Sequence, residues 1–173
     1  MMVTVAGEGG RAGRRILVVA NETVAGRALR EEIQSRVGGH EDEVFVVCPA
    51  LNSRIRHWLS DVDRARTRAH ERLDASLRAL AEIGILADGS VGDDDPLQAI
   101  DDALRTFPAD EIIISTHPPG RSNWLEKRIV ARAREHCRVP ISHVVVDLEQ
   151  ERVSAVPETV VELTAAPHQL DAT

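Results

Sequence analysis

Five short runs of apolar, mostly β-branched residues recur along the chain. They are residues 16–20 (ILVVA), 44–48 (VFVVC), 85–87 (ILA), 111–115 (EIIIS) and 141–146 (ISHVVV). Runs of this kind, bounded by turn-forming residues, read as strands buried on both faces. Between them the apolar positions change to a spacing of three and four, the mark of a helix with one buried face. Val24, Ala28, Ile33 and Val37 form the first such set, with Thr23 as the cap and Gly38 and Gly39 as the stop. Val62, Ala65, Ala69, Leu73, Leu77, Leu80 and Ile83 form a longer one, opened by Ser60 with Asp63 in a capping box and closed by Gly84. Asp95 caps a third helix with Pro96 at its first position and Leu97, Ile100, Leu104 and Phe107 on its core face. Asn123 and Glu126 form a second capping box before Trp124 or Leu125, Ile129, Ala133 and Cys137.

Strands that alternate with helices through short links imply parallel pairing, right-handed crossovers and a sheet covered on both faces. The fold class is therefore α/β, a three-layer α/β/α arrangement around five parallel strands. With 173 residues and about 150 per domain, one domain is expected. Residues 1–13 read as a flexible N-terminus and 14–147 as the domain. Residues 148–173 read as a C-terminal extension. It is partly a strand or arm through 153–156 and 160–163, and partly a disordered end broken by Pro157 and Pro167. In such sheets ligands bind beyond the carboxyl ends of the strands. The loops at that edge are 21–23, 49–57, 88–95 and 117–123.

Composition narrows the function. Hydrophobic residues make up 43% and charged residues 28%, and no run reaches the roughly 18 apolar residues of a membrane helix. No membrane partner is expected. The first apolar residues precede the arginines, the reverse of a secretory leader, which points to the cytoplasm. A net charge of −7 and 2% aromatic residues argue against nucleic acid as a partner. Charge is uneven, however. Residues 119–138 carry Arg121, Lys127, Arg128, Arg132, Arg134 and Arg138 against Glu126 and Glu135, whereas 88–102 carry six aspartates and no base. Cys48 and Cys137 have no metal-binding spacing and read as reduced structural thiols.

Several strings resemble the universal stress protein family: RRILVVAN at 14–21, DDPLQAI at 94–100, DEIIIS at 110–115, the turn of Gly120, Arg121 and Ser122, and VPISHVVV at 139–146. Their order and spacing carry the resemblance, which covers about residues 14–147. It implies a sheet in the order 3-2-1-4-5, often a dimer through the last strand, and in many members ATP binding. The ATP-binding branch uses Gly-x-x-Gly-x9-Gly-Ser/Thr. Here Gly120 takes the second glycine position, but His117 takes the first, and Val130 and Ala131 take the distal pair. Asn21 stands where the family commonly ends its first strand with an acid. A phosphate cradle aims backbone N–H groups at oxygens. Pro118 and Pro119 have none to offer. ATP or another adenine nucleotide is thus possible but disfavoured as a ligand, and no cofactor is assigned.

The candidate ligand-binding residues are Asn21, Thr23, His117, Gly120, Arg121, Ser122 and Asn123. Arg121 can fork onto a phosphate or carboxylate at a helix start. The structural alternative is a turn at Gly120, a cap at Asn123 and a solvated Arg121. Arg54, Arg56 and His57 read as a solvated basic loop, residues 93–95 as a cap rather than a Mg²⁺ site, and His143 as a packed or edge histidine. His136 and Cys137 face different ways and make no metal site. No metal and no catalytic residue is assigned. The chain reads as a non-catalytic binding or regulatory module that forms a homodimer through the last strand or the C-terminal arm. One alternative is a nucleotide-processing enzyme, a phosphohydrolase or nucleotidyl transferase, using His117 and the aspartates. Another is a structural protein whose extension pairs with an unknown protein partner.

Overall fold

The computed structural model describes residues 13–20, 26–50, 60–118 and 124–147, with backbone alone at 60–64 and 124–127. The elements are β1 (Arg15–Ala20), α1 (Arg27–Arg36), β2 (Glu43–Pro49), α2 (Ser60–Glu82), β3 (Ala87–Gly92), α3 (Pro96–Thr106), β4 (Glu111–Thr116), α4 (Trp124–His136) and β5 (Ile141–Val145). The five strands form one parallel sheet in the order β3-β2-β1-β4-β5. The α/β reading and the implied strand order both hold.

Alternation along the central strands divides the core. Ile16, Val18, Ala20 and Ile113 face a cluster completed by Leu29 and Ile33 of α1 and Leu73 and Leu80 of α2. Leu17, Val19, Ile112 and Ile114 face the other side, against Ala99, Ile100 and Ala103 of α3 and Val130 and Ala133 of α4. Every residue of β4 is buried. Burying each large apolar side chain contributes about 1.5–3 kcal/mol, so the β1–β4 pair at the centre is the most firmly held part of the sheet.

Three boundaries differ from the sequence reading. Helix α1 starts at Arg27 behind an N-cap at Gly26, not behind Thr23. A Cβ at Gly26 would lie 2.3 Å from Cγ1 of Val146, so the close approach of chain to chain selects glycine there. Strand β3 is Ala87–Gly92, beyond the apolar run at 85–87. Ile85 packs into the core, Leu86 is 87% exposed, and Asp88 pairs with Phe45 inside the sheet rather than standing in a loop. An edge strand has one free side and tolerates Asp88 and Ser90 pointing to water. The loop at the carboxyl end of β3 shrinks accordingly to Asp93, Asp94 and Asp95. Finally, β5 stops at Val145, although the Val146 N–H still donates to the Thr116 carbonyl at 2.9 Å.

Other signals hold. Asp95 caps α3, its Oδ1 accepting from the Leu97 N–H at 2.9 Å, with Pro96 next. Gly84 closes α2 with φ of 80°, where a Cβ would be strained.

Candidate functional site

Strand order reverses between β1 and β4, so a ligand crevice is expected beyond their carboxyl ends. Ala20 and Ser115 are paired there, and the Ser115 hydroxyl donates to the Val19 carbonyl at 3.4 Å. Thr116 ends β4 and His117 follows it. His117 is half-buried at this edge. Asn21, Thr23, Gly120, Arg121, Ser122 and Asn123 lie outside the described residues, as do Arg54, Arg56 and His57.

A polar contact not anticipated from sequence occupies the described part of this edge. The Thr116 Oγ1 lies 2.7 Å from Nε2 of His143 on β5 and 3.4 Å from the His117 carbonyl oxygen. Thr116 is buried, whereas His143 is partly exposed. Burial of the ring, with a contribution from the Arg134 charge, holds the His143 imidazole below its usual range. The available signal was the register: in parallel strands Ile114 pairs with His143, so the residue two places beyond Ile114 on the same face can meet it. Sequence alone gave no partner for His143.

Other described residues make contacts that hold the fold. Arg72 of α2 donates through Nη2 to the Pro49 carbonyl at 2.9 Å, tying the helix to the end of β2. Burial pushes the neighbouring Cys48 thiol up to about 11, against the opposing charge of Arg72. Cys48 stays a thiol and is no nucleophile. Asp93 accepts from the Asp95 N–H at 2.9 Å and Asp95 caps α3, so these two carboxylates already have backbone partners. His136 reaches Asp101 of α3 at 3.0 Å and is an inter-helix contact, not a ligand paired with Cys137. No group of three metal-ligating side chains occurs among the described residues. No helix of the described residues is long and apolar enough to cross a membrane. Val130 puts its side chain into the cluster under α3 and α4.

No family model and no curated protein sequence matches the chain. Solved structures do. A universal stress protein family protein from Burkholderia pseudomallei superposes with a TM-score of 0.58 at 15% identity, over 78% of this chain and 98% of that one. A universal stress protein from Archaeoglobus fulgidus gives 0.52 at 18%, over 78% and 98%. A universal stress protein family protein from Arabidopsis thaliana, solved with AMP bound, gives 0.51 at 13%, over 79% and 94%. In fold, this chain is universal-stress-protein-like.

Proposed function

We propose that the protein is a universal-stress-protein-like binding or regulatory module. It takes a small anion or adenine nucleotide at the carboxyl end of the sheet and performs no catalysis. The observation that carries the reading is the reversal of strand order between β1 and β4, which puts the starts of the loops holding Asn21 and Arg121 side by side. The Arabidopsis protein of like fold was solved with AMP, which supports an adenine nucleotide as the first ligand to try. Two prolines just before Gly120, which offer no N–H, and the Val130 side chain at a glycine position of the phosphate motif make a triphosphate the poorer candidate.

Isothermal titration with ATP, ADP, AMP and cyclic AMP, with and without Mg²⁺, tests this. Saturable binding of AMP that weakens about tenfold or more in Arg121→Ala is the expected result, because a charge-assisted bond is worth about 1.5–3 kcal/mol. Tight ATP binding that depends on the 130–131 segment would overturn the proposed loss of the triphosphate site. No binding across the panel would overturn the ligand.

The proposed assembly is a homodimer through β5 or the C-terminal arm. Strand β5 ends the sheet, and its Val145 is 44% exposed, a feature that natural edge strands commonly cover. Val145→Lys should halve the mass seen by light scattering. A monomer in the parent protein would end this proposal.

A further inference from the structure

Three side-chain polar atoms among the described residues are buried without a hydrogen-bond partner: Nε of Arg30, Nε of Arg72 and Oε1 of Glu111. Glu111 has arginines around it. The two guanidinium groups have no opposing charge, for neither Arg30 nor Arg72 pairs with a carboxylate among the described residues. Arg72 uses one N–H on the Pro49 carbonyl at 2.9 Å. The neighbouring Cys48 stays a thiol and brings no negative charge. A buried charged donor left without an acceptor is strongly disfavoured. Two of them in one region point to an acceptor brought by a ligand.

The fold brings both side chains to one groove. Helices α1 and α2 cover the same face of the sheet, through Leu29 and Ile33 and through Leu73 and Leu80. On α1, Arg30 and Arg36 flank the line of Leu29 and Ile33 on opposite sides. Arg36 meets Glu111 of β4, so Arg30 stands on the flank that faces α2. On α2, Leu73 lies against Gly89 of β3. Arg72 lies on the other flank and reaches Pro49 of β2, so it faces α1. Their heights agree as well. Gly26 sits against Val146, just past the end of β5, and Arg30 is one turn further along α1. Leu73 is level with the middle of β3, and Arg72 reaches up to the last residue of β2. Both arginines therefore stand near the carboxyl edge, in the groove between α1 and α2. Arg68, one turn nearer the start of α2 on the flank of Arg72, is exposed at the mouth. The flank of α1 continues with Gln34 and that of α2 with Ala75 and Ala79, so neither carries a carboxylate. Packed helix axes lie about 8–10 Å apart, a gap that two facing arginine side chains span with a small ligand between them.

We propose that this groove binds a phosphate group, as inorganic phosphate or a phosphate monoester, between Arg30 and Arg72 with Arg68 at its entrance. A carboxylate has two oxygens, which one guanidinium fork satisfies. A phosphate dianion carries twice the charge and presents oxygens on several sides, which suits forks from two walls. The site lies on the α1–α2 face over β1 and β2, apart from the connection that leaves β4. It goes beyond the functional reading above and does not depend on it.

The test titrates the full chain with inorganic phosphate against chloride at constant ionic strength. Calorimetry should show saturable phosphate binding. The Nε–H signals of Arg30 and Arg72 in a ¹⁵N spectrum, assigned by their loss in Arg30→Lys and Arg72→Lys, should move with it. Arg72→Met and Arg30→Met should each weaken phosphate about tenfold or more, the loss of a charge-assisted bond. Each should also abolish the rise in melting temperature that phosphate gives the parent. Arg78→Met, at an exposed position of α2 outside the groove, should leave both unchanged. If Arg72 only ties α2 to Pro49, Arg72→Met will lower the melting temperature and leave phosphate affinity alone. That result, or phosphate acting no differently from chloride, would overturn the site. Where a methionine variant does not fold, the parent decides: Nε–H signals of Arg30 and Arg72 that ignore phosphate overturn the site. Titration with AMP separates the sources of the group. AMP affinity lost in Arg72→Met marks a monoester as the ligand, and unchanged AMP affinity marks free phosphate. Phosphate binding without AMP binding would overturn AMP as the ligand proposed above and leave this site standing.

Discussion

Glu111 begins the most buried strand of the sheet and sits among arginines. Arg36 donates to its Oε2 at 2.6 Å, and Arg14 lies 3.7 Å from its Oε1, too far for a hydrogen bond but close enough for attraction. Arg36 also pairs with Glu32, four residues earlier on α1, at 2.6 Å. Burial works against the Arg36 charge, yet the bonds and Coulomb attraction from Glu111 and Glu32 outweigh it and push the guanidinium above its usual range. Glu111→Gln removes the charge at the centre of this group and leaves Arg36 half-buried without its main partner. Breaking a fully buried pair costs about 3–5 kcal/mol. Partial exposure of Arg36 reduces this to about 2 kcal/mol. A fall of roughly 4–8 °C in a thermal melt is the expected reading. Asp42 answers to pH instead. It accepts the Arg14 N–H at 2.7 Å and the Gly38 N–H at 2.6 Å, and these backbone bonds hold its carboxyl below the usual range. A depressed carboxyl stabilises the fold above its unfolded value and loses that contribution as pH falls through its folded value. Urea midpoints of the parent and Asp42→Asn should therefore differ at pH 7 and converge in acid. A constant gap down to strongly acid pH would refute the assignment.

Elements differ in how openly the sequence declares them. Helix α3 was legible at both the cap and the core face because its signals are local: Asp95, Pro96 and an apolar residue every third or fourth place. Asp95→Ala should cost about 1 kcal/mol, read as a lower thermal midpoint, since the Leu97 N–H then loses its acceptor. Strands β1, β2 and β4 were legible because both their faces are covered, so their residues must be apolar throughout. Strand β3 was not. Its identity rests on non-local fit: a Cβ at Gly89 would lie 2.5 Å from the Val46 carbonyl, and one at Gly92 would lie 2.6 Å from the Ala99 Cβ. Gly89 lets the edge strand lie close to β2 and Leu73 of α2, and Gly92 lets it lie close to α3; nothing in the local string ADGSVG announces either. Gly92→Ala should accordingly cost about 1–3 kcal/mol of stability through overpacking. Gly39→Ala, with no atom within 4 Å, serves as the tolerated control in the same denaturation series. The Thr116–His143 contact was hidden for a related reason. It depends on which strands are neighbours and in what register, facts that enter only when the sheet is assembled.

At the scale of the whole sheet, the two edges carry different chemistry. The amino ends of the strands carry an ionic and aromatic clamp. Arg15 pairs with Glu43 at 3.1 Å and lies 4.5 Å above the Phe107 ring, which stacks on Phe45 at 5.3 Å. The Arg15 N–H donates to Asp110 at 2.8 Å, and the Arg14, Arg36 and Glu111 group lies alongside. The carboxyl ends carry Thr116, His117 and the short acid-bearing turn at 93–95. A parallel sheet enforces this division, because every strand starts at one edge and every loop that can surround a ligand leaves from the other. The two ends should then respond independently to mutation, since effects at distant sites without shared partners add. Glu111→Gln should lower the melting temperature and leave AMP affinity within about twofold of the parent. Arg121→Ala should weaken AMP about tenfold or more and leave the melt of the ligand-free protein almost unmoved. The double variant should show the sum of both changes. Loss of AMP binding in Glu111→Gln, measured well below its melting temperature, would mean that the clamp reaches through β4 to Thr116 and that the two edges of the sheet act as one unit.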